Sequence, residues 1–200
     1  MFDAKLRPYI DPPLNAVGRR LAAMGIGANA ITLAGVAIGL TAGLAISQSL
    51  FGWGLALILA SRLLDGLDGA VARATRPTDF GGYLDIVGDF AFYVAVPIGF
   101  GLAVAANMVY ALILVASFTL TGISFMAFAV MAAKRGLETS AHGRKSFFYN
   151  TGLAEGAETI LAFVLMCLLP DAFSAIASLY AGLCAVTVIQ RSIAAYVAFK

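Results

Sequence analysis

Charged residues are scarce in this sequence: Asp, Glu, Lys and Arg make up 12% of its 200 residues, while hydrophobic residues make up 61%. Soluble domains normally carry roughly 25% charged residues, so the composition excludes an ordinary soluble protein and predicts a membrane protein. The two cysteines lie in apolar runs, which favours packing roles over a disulfide or a metal site. The first twenty residues hold two acidic residues, three prolines and no apolar run, so we expect no cleavable signal peptide. We also expect no nucleic-acid partner.

Three long runs that are almost free of charge predict the topology. Residues 30–61 and 90–133 contain no Asp, Glu, Lys or Arg, and residues 159–190 contain only Asp171. A membrane-spanning helix needs about 20 apolar residues, so each run predicts two spans joined by a short turn. The turns are expected near residues 48–53, 105–107 and 170–171. The fold class is therefore all-α integral membrane, with six transmembrane helices, of which the fifth begins near Asn150.

A short amphipathic helix is predicted before the first span, from Asp11 to Gly25. Asp11 can cap a helix, the two prolines after it suit a first turn, and Gly25 suits a helix end. One face carries Leu14, Val17, Leu21 and Met24, and another carries Asn15, Arg19 and Arg20. Such a helix is expected to lie on the inner leaflet of the membrane. We thus divide the chain into a juxtamembrane segment, 1–28, and a six-helix domain, 29–200.

Basic residues predict the orientation of the chain. In this topology all 13 Lys and Arg residues fall on one side of the membrane, and the opposite turns carry none. The positive-inside rule places that side in the cytoplasm.

Acidic residues are concentrated in the stretch 62–89, which contains four of the eleven in the chain. Asp65 and Asp68 are three residues apart and Asp85 and Asp89 are four apart, so each pair projects from one helix face. Four carboxylates converging from two helices would repel one another unless cations lay between them. This pattern predicts a two-metal site, in which ions roughly 3.5–4 Å apart hold a phosphate under attack.

Small and basic residues accompany these acids. Gly69 and Ala72 lie near the face of Asp65 and leave room for a ligand, and the Arg73 guanidinium suits phosphate. Thr32, at the start of the first span, is expected either to contact a phosphate or to serve as a polar helix cap. An alternative for the whole stretch is an interhelical polar network, in which the acids pair with Arg62, Arg73 and Arg76. A purely structural network, however, needs no fixed glycines and no particular spacing.

Residues 65–89 resemble the signature of the CDP-alcohol phosphotransferase family, which reads Asp-x2-Asp-Gly-x2-Ala-Arg, a spacer, then Gly-x3-Asp-x3-Asp. All eight fixed positions are present and the spacer has seven residues. In hydropathy the whole chain is similar to small bacterial members of the family, although little outside the signature can be matched residue by residue. The resemblance implies a multi-pass protein of the bacterial inner membrane, with its active site facing the cytoplasm, and a homodimer.

The resemblance also implies a reaction. Family members displace CMP from a CDP-linked donor, usually CDP-diacylglycerol, with the hydroxyl of an alcohol. On this basis two divalent cations, Mg²⁺ or Mn²⁺, would be held by Asp65, Asp68 and Asp85. Asp89 would act as the general base and could also ligate the second cation. The cytidine diphosphate would be held by Gly69 and Arg73, with clearance supplied by Ala72 and Gly81.

The acceptor alcohol is less well indicated. The basic loop 134–150 is read either as topogenic charge or as a pocket for an acceptor's phosphate, with Arg144 and Lys145 as its ligands. Glu155 and Glu158 could hydrogen-bond a polyhydroxyl acceptor or pair with neighbouring basic residues. A basic loop suits glycerol 3-phosphate, while inositol phosphate, serine and the hydroxyl of another phospholipid stay open.

Two other classes of function are weighed against this one. An ion-coupled transporter also buries carboxylates, but it tends to place them near the bilayer midplane and between internal repeats. This sequence shows no internal repeat, and its acids cluster at one predicted membrane edge. A scaffold that binds a nucleotide without turnover is disfavoured by the complete set of four aspartates.

Overall fold

The computed structural model describes residues 3–136 and 152–200, and within these ranges its regular structure is entirely helical. The helices are α1 (Asp3–Ala23), α2 (Ala28–Ser47), α3 (Phe51–Ala74), α4 (Asp79–Ala103), α5 (Met108–Lys134), α6 (Gly156–Leu168) and α7 (Phe173–Phe199). Short 3-10 turns at Ala105–Asn107 and Pro170–Ala172 join α4 to α5 and α6 to α7. The all-α class is confirmed, and these helix breaks lie at the predicted turns.

Four of the described helices are long and apolar enough to cross a membrane, against the six spans that were predicted. They cover Ala28–Ser47, Asp79–Ala103, Ala105–Lys134 and Pro170–Phe199. Helix α3 is outside this set because it carries Arg62, Asp65, Asp68 and Arg73. Helix α6 is outside it because only 13 residues are helical. Four apolar helices of this length indicate a membrane protein.

Helix α2 packs closely against both α3 and α4 through small residues. A β-carbon placed on Gly43 would lie 2.7 Å from the carbonyl oxygen of Ala95, and one on Gly99 would overlap the carbonyl oxygen of Gly43. Backbones therefore touch directly, as is common where helices pack inside a membrane. This contact brings the start of α2 against the segment in which α3 ends and α4 begins.

Aromatic rings join α4 to the second half of the chain. Phe100 stacks on Phe173 with 4.7 Å between ring centroids, and Phe92 meets Phe163 edge to face at 5.6 Å. All four side chains are fully buried. Because Phe92 lies three residues after Asp89, burial of its ring fixes the rotation of α4 that turns Asp85 and Asp89 towards α3.

Helix α1 differs from the prediction in its start and in the face that it buries. It begins at Asp3, not at Asp11, and continues through three prolines whose side chains are exposed. Gly18 is buried against α3, where an added β-carbon would lie 2.7 Å from that of Ala70. Asn15 was expected to face away from the apolar stripe, yet it turns towards α3 and binds Arg73. Packing against α3 thus outweighs the local amphipathic pattern.

The start of α6 also corrects the prediction, which placed Glu155 inside a helix beginning near Asn150. Residues 137–151 lie outside the described part, and the helix begins at Gly156. The backbone N–H groups of Leu153 and Ala154 donate to Oγ1 of Thr187, at 3.1 and 3.0 Å. These bonds to α7 hold the segment in a non-helical conformation, so Glu155 is extended and stands just before the helix.

Candidate active site

Three of the four predicted aspartates converge where α3 and α4 meet. One carboxylate oxygen from each of Asp65, Asp68 and Asp85 lies within 4.8 Å of the others. Asp68 is buried, Asp65 is half-buried and Asp85 is exposed. Three oxygen ligands at this spacing form a set that hard divalent cations prefer. We call these three residues the aspartate triad.

The surroundings of the triad fit a bound cation. Oδ2 of Asp68 is buried and has no hydrogen-bond partner among the residues that the structure describes. A buried carboxylate oxygen left without a donor is costly unless an ion completes its environment. A crevice of about 10 Å³ adjoins the triad between α2, α3 and α4. That is about the volume of one water-sized sphere, and therefore room for a small ion.

Asp89 lines the same crevice as the triad and pairs with an arginine. Its Oδ1 accepts a hydrogen bond from Nη1 of Arg62 at 2.6 Å, and the same nitrogen lies 3.5 Å from Oδ1 of Asp65. Part of the alternative polar network is therefore present, and it links Arg62 to two of the four acids. The roles predicted for Asp89, base and second-cation ligand, remain predictions.

A cavity of about 710 Å³ opens beside the triad, and we call it the α2–α4 cavity. It brings together six residues predicted to contact the donor or its cations: Thr32, Asp68, Gly69, Ala72, Gly81 and Asp85. Gly81 sits where α4 starts, and its N–H donates to Oγ1 of Thr78 at 3.0 Å. A β-carbon on Gly81 would come within 3.1 Å of that oxygen and of Oδ1 of Asn29. A side chain there would narrow the cavity and disturb the helix cap.

Sequence reasoning missed several residues that line the α2–α4 cavity. Thr78 and Tyr83 flank its α4 side, and Arg76 lies in the α3–α4 link. Arg76 had been considered only as a partner for the acids. One signal in the sequence indicated where α4 starts beside this cavity: Thr78 can cap the helix, because it stands three residues before Gly81.

Arg73 does not line the α2–α4 cavity. It lies on the other side of the triad, where its Nη2 and Nε donate to Oδ1 of Asn15 at 2.9 and 3.3 Å. There it borders a second cavity of about 600 Å³ between α1, α3 and α6, which we call the α1–α6 cavity. The polar end of this cavity includes the triad, and its apolar wall is formed by Ile10, Leu14, Ile160, Leu161 and Val164.

Of the four predicted acceptor residues, the structure describes Glu155 and Glu158. Arg144 and Lys145 lie outside the described residues. Glu155 lines a third cavity of about 350 Å³, the α5–α7 cavity, together with Tyr93, Thr159 and Arg191. Phe90 and Tyr93, one and four residues after Asp89 on α4, also line it, so this cavity borders the part of α4 next to Asp89. Glu158 lies in the first turn of α6 and is partly buried.

Known proteins resemble this chain in both sequence and fold. It is 45% identical over 204 residues to the Escherichia coli inner membrane protein YnjF, covering 100% of this chain and 98% of that one. An archaetidylinositol phosphate synthase of Pyrococcus horikoshii is 42% identical over 87 residues, which are 41% of this chain and 44% of the relative.

Solved structures share the fold at low sequence identity. Phosphatidylinositol phosphate synthase of Mycobacterium tuberculosis, crystallised with manganese and citrate, matches 92% of this chain and 88% of its own at a TM-score of 0.73. The same enzyme with CDP-DAG bound matches at 0.66, covering 92% and 93% of the two chains, and both comparisons have 21% identity.

A sequence profile extends the family assignment well beyond the aspartates. The profile described as CDP-alcohol phosphatidyltransferase matches residues 26–194. That range includes both arms of the signature and runs from the loop before α2 into the C-terminal part of α7. This match agrees with the eight-residue signature, the apolar helices and the triad. The chain belongs to the CDP-alcohol phosphatidyltransferase family.

Proposed function

We propose that this protein transfers a phosphatidyl group from CDP-diacylglycerol to the hydroxyl of an alcohol and releases CMP. The observation that carries the proposal is the aspartate triad, whose oxygens lie within 4.8 Å of one another at the edge of a cavity of about 710 Å³. A cation site next to a nucleotide-sized cavity is what phosphoryl transfer to an alcohol requires.

The two cavities that meet at the triad suit the two halves of such a donor. The α2–α4 cavity is bordered by Asn29, Thr32 and Arg76, which can hydrogen-bond a nucleotide. The α1–α6 cavity has an apolar wall built from α1 and α6, which suits acyl chains. The diphosphate would then lie at the triad, between the two cavities. Support from a related protein comes from the fold neighbour that was crystallised with CDP-DAG.

Bound divalent cations would supply electrostatic stabilisation of the charge that develops on the phosphate oxygens. The triad would hold them, and Gly69, which lines both cavities, would leave space for the diphosphate. Manganese in the fold neighbour agrees with such ions. We propose two cations, Mg²⁺ or Mn²⁺, as the signature implies.

Asp89 would take the proton. As the acceptor oxygen forms its bond to the β-phosphorus, the bond from that phosphorus to the bridging oxygen breaks and CMP leaves. The hydroxyl proton passes to the Asp89 carboxylate, which is one helical turn from Asp85 and 30% exposed. Its hydrogen bond to Arg62 uses Oδ1, so Oδ2 remains to receive the proton.

The α5–α7 cavity is the proposed acceptor site because it borders the part of α4 next to Asp89 and contains both an acid and a base, Glu155 and Arg191. Hydrogen-bonding groups of this kind suit a polyol. The names of the relatives describe products that contain inositol phosphate. We therefore propose a phosphorylated polyol, with inositol phosphate and glycerol 3-phosphate as the first candidates. Serine and a phospholipid hydroxyl are further ones, and Arg144, Lys145 and Glu158 are the additional residues proposed to contact the acceptor.

We also propose six membrane crossings with the triad facing the cytoplasm. Helix α3 has 24 residues and is long enough to cross, since about 20 suffice. Its charged residues would lie at the cytoplasmic end, beside α1 on the inner leaflet. The division at residues 28 and 29 falls in the break between α1 and α2. The homodimer is proposed from the family resemblance alone.

The test is CMP release by the purified protein in lipid nanodiscs containing CDP-diacylglycerol. We expect CMP to appear only with Mg²⁺ or Mn²⁺ and only with the matching acceptor from a panel of inositol phosphate, glycerol 3-phosphate, serine and a phospholipid. Mass spectrometry of the lipid product identifies the acceptor. Absence of CMP with every acceptor, or equal release after chelation of the metal, would contradict the proposal.

A further inference from the structure

The ring of Phe90 on α4 lies in a notch in the surface of α5. The notch exists because Gly122, which is buried on α5, has no side chain. A β-carbon added to Gly122 would overlap two carbon atoms of the Phe90 ring. Small residues allow this kind of close approach where helices pack inside a membrane. We call these two residues the Phe90–Gly122 pair.

Both residues of the pair line the α5–α7 cavity, which is the proposed acceptor site. Phe90 directly follows Asp89 in the sequence, and its ring meets that of Tyr93 edge to face with 6.3 Å between centroids. Tyr93 in turn packs against Phe118 of α5, at 5.8 Å between ring centroids. The Phe90 ring therefore has neighbours on both α4 and α5, and it forms part of the cavity wall that adjoins Asp89.

The notch determines how much of this cavity stays open. An alanine at position 122 would displace the ring, because a methyl group and a ring carbon cannot occupy the same space. Tyr93 packs against the ring on the α4 side, whereas the cavity adjoins it as open space. At about 350 Å³ the cavity is near the lower end of the range for small-molecule sites, roughly 300–1,000 Å³. A displaced ring would therefore take volume that a bulky acceptor needs.

A second close contact between the same two helices has no connection with the cavity. A β-carbon on Gly101 of α4 would lie 3.0 Å from that of Ala111 on α5, and both residues are buried. Neither of them lines the α5–α7 cavity. Phe90, by contrast, is only half-buried and reaches the cavity. The two glycines therefore distinguish a contact that only packs α4 against α5 from one that also shapes a binding site.

We propose that the Phe90–Gly122 pair sets the largest acceptor that the α5–α7 cavity admits. With glycine at position 122 the ring withdraws into α5 and leaves room beside Asp89 for an acceptor of the size of inositol phosphate. A side chain at position 122 would restrict the site to smaller alcohols, such as glycerol 3-phosphate and serine. The inference rests on the proposed function for the ligand's role as acceptor, whereas its consequence for ligand binding can be measured without turnover.

The first experiment compares Gly122→Ala with the wild type in the CMP-release assay. We expect Gly122→Ala to lower kcat/KM for inositol phosphate at least about thirtyfold, because a tight pocket discriminates strongly against excess volume. Any turnover with glycerol 3-phosphate or serine should change by no more than about threefold. The KM for CDP-diacylglycerol should stay within about twofold, because neither residue of the pair lines the α2–α4 or the α1–α6 cavity.

The second experiment tests whether the two residues act as a pair. Phe90→Leu replaces the ring by a smaller side chain, and alone it should raise kcat/KM for inositol phosphate about threefold. Combined with Gly122→Ala it should restore that kcat/KM to within about threefold of the wild type, because the leucine leaves space for the new methyl group. Independent effects would instead leave the double variant about tenfold below the wild type, and that result would contradict a direct contact.

Gly101→Ala is the matched control. It places a methyl group in the other close contact between α4 and α5, so it should lower the Tm about as much as Gly122→Ala does. Its kcat/KM for inositol phosphate should stay within about twofold of the wild type, because Gly101 does not line the cavity. Equal losses in the two alanine variants would show that loosening of α4 against α5, and not the shape of the cavity, causes them.

The third experiment measures binding without turnover, as the rise in Tm that inositol phosphate produces in detergent. We expect a rise in the wild type, in Gly101→Ala and in the double variant. In Gly122→Ala the rise should be less than about a quarter of that in the wild type at the same ligand concentration. A notch that serves packing alone predicts the same rise in all four proteins.

The possible results separate the two proposals. If the wild type releases CMP but does not use inositol phosphate, or if Gly122→Ala keeps kcat/KM for it within about threefold, the size limit is wrong while the proposed function stands. If the wild type releases no CMP, the proposed function fails, and the size limit holds only if inositol phosphate raises the Tm of the wild type and not that of Gly122→Ala. If Gly122→Ala does not fold, Phe90→Leu decides: a higher kcat/KM for inositol phosphate supports the size limit, and an unchanged or lower one overturns it.

Discussion

The α3–α4 pair and the α6–α7 pair both carry polar groups into an apolar bundle, but they position them in different ways. Asp65, Asp68 and Asp85 stand on regular helices, and their convergence follows from helical spacing together with the packing of α2 against both helices. Glu155 stands outside a helix, and its place depends on bonds from its neighbours to Thr187, more than thirty residues later. The triad is therefore positioned largely by spacing along the helices, whereas the segment that holds Glu155 is positioned by contacts between residues distant in sequence.

Asp68→Asn should have the largest effect, because it removes a charge from the triad without changing its shape. We expect CMP release to fall at least about 10³-fold, together with a loss of Mn²⁺ binding. Asp171→Asn, in the exposed turn before α7, is the matched control and should leave both unchanged. Equal loss in the two variants would mean that the triad has no special part in the chemistry.

Gly99→Ala should loosen the packing of α2 on α4 that brings the first pair of helices together. An alanine β-carbon would overlap the carbonyl oxygen of Gly43, so we expect a loss of about 2 kcal/mol of stability. Thermal unfolding in detergent measures this loss as a lower Tm. Gly182→Ala, on α7 with open space around it, should leave the Tm unchanged. A similar Tm for both variants would contradict the close contact between the backbones.

Glu155→Gln should affect the acceptor and not the donor. Loss of the negative charge in the α5–α7 cavity should raise the KM of the acceptor about tenfold and leave the KM of CDP-diacylglycerol unchanged. Thr32→Val, in the α2–α4 cavity, is the reciprocal variant and should raise the donor KM alone. Steady-state kinetics with each substrate varied in turn provide the measurement. If Glu155→Gln changed the donor KM instead, the separation of the two sites would be wrong.

Asn15→Ala should have the smallest effect of the four. It removes the oxygen that accepts both hydrogen bonds from Arg73, so α1 should be held less firmly over the α1–α6 cavity. We expect the donor KM to rise about fivefold, which corresponds to a loss of about 1 kcal/mol in hydrogen bonding. Arg19→Gln, exposed on the same helix, should leave the KM unaltered. An unchanged donor KM in Asn15→Ala would show that α1 does not contribute to donor binding.

The features read correctly from the sequence are those that depend on neighbours along the chain. Apolar runs located the helix breaks at 48–50, 104–107 and 169–172, since backbone groups in a membrane must be satisfied within a helix. Spacings of three and four residues placed Asp65, Asp68 and Asp85 on facing helix surfaces. Gly69, Ala72 and Gly81 of the signature line the α2–α4 cavity, and their role in giving clearance to the donor remains a prediction.

The misses share one cause, which is contact between residues distant in sequence. The contact of Arg73 with Asn15 was not foreseen, because the two residues are 58 positions apart; the role of Arg73 at the diphosphate remains a prediction. The helix start near Asn150 was wrong because the preceding backbone binds α7. Arg62 appeared only as a member of a possible network, because its partner Asp89 lies 27 positions further on.

The amino-acid sequence by itself determined that this is a helical membrane protein with a cluster of aspartates typical of a CDP-alcohol phosphatidyltransferase. Helical periodicity and the cost of burying charge in an apolar bundle act between residues close in sequence. They therefore determine the helical membrane class and the grouping of the aspartates. Only the tertiary structure decided which acids share a cation site and which one pairs with Arg62. Those choices depend on how α1, α2 and α7 pack against the motif helices, and helical spacing within the motif carries no information about that packing.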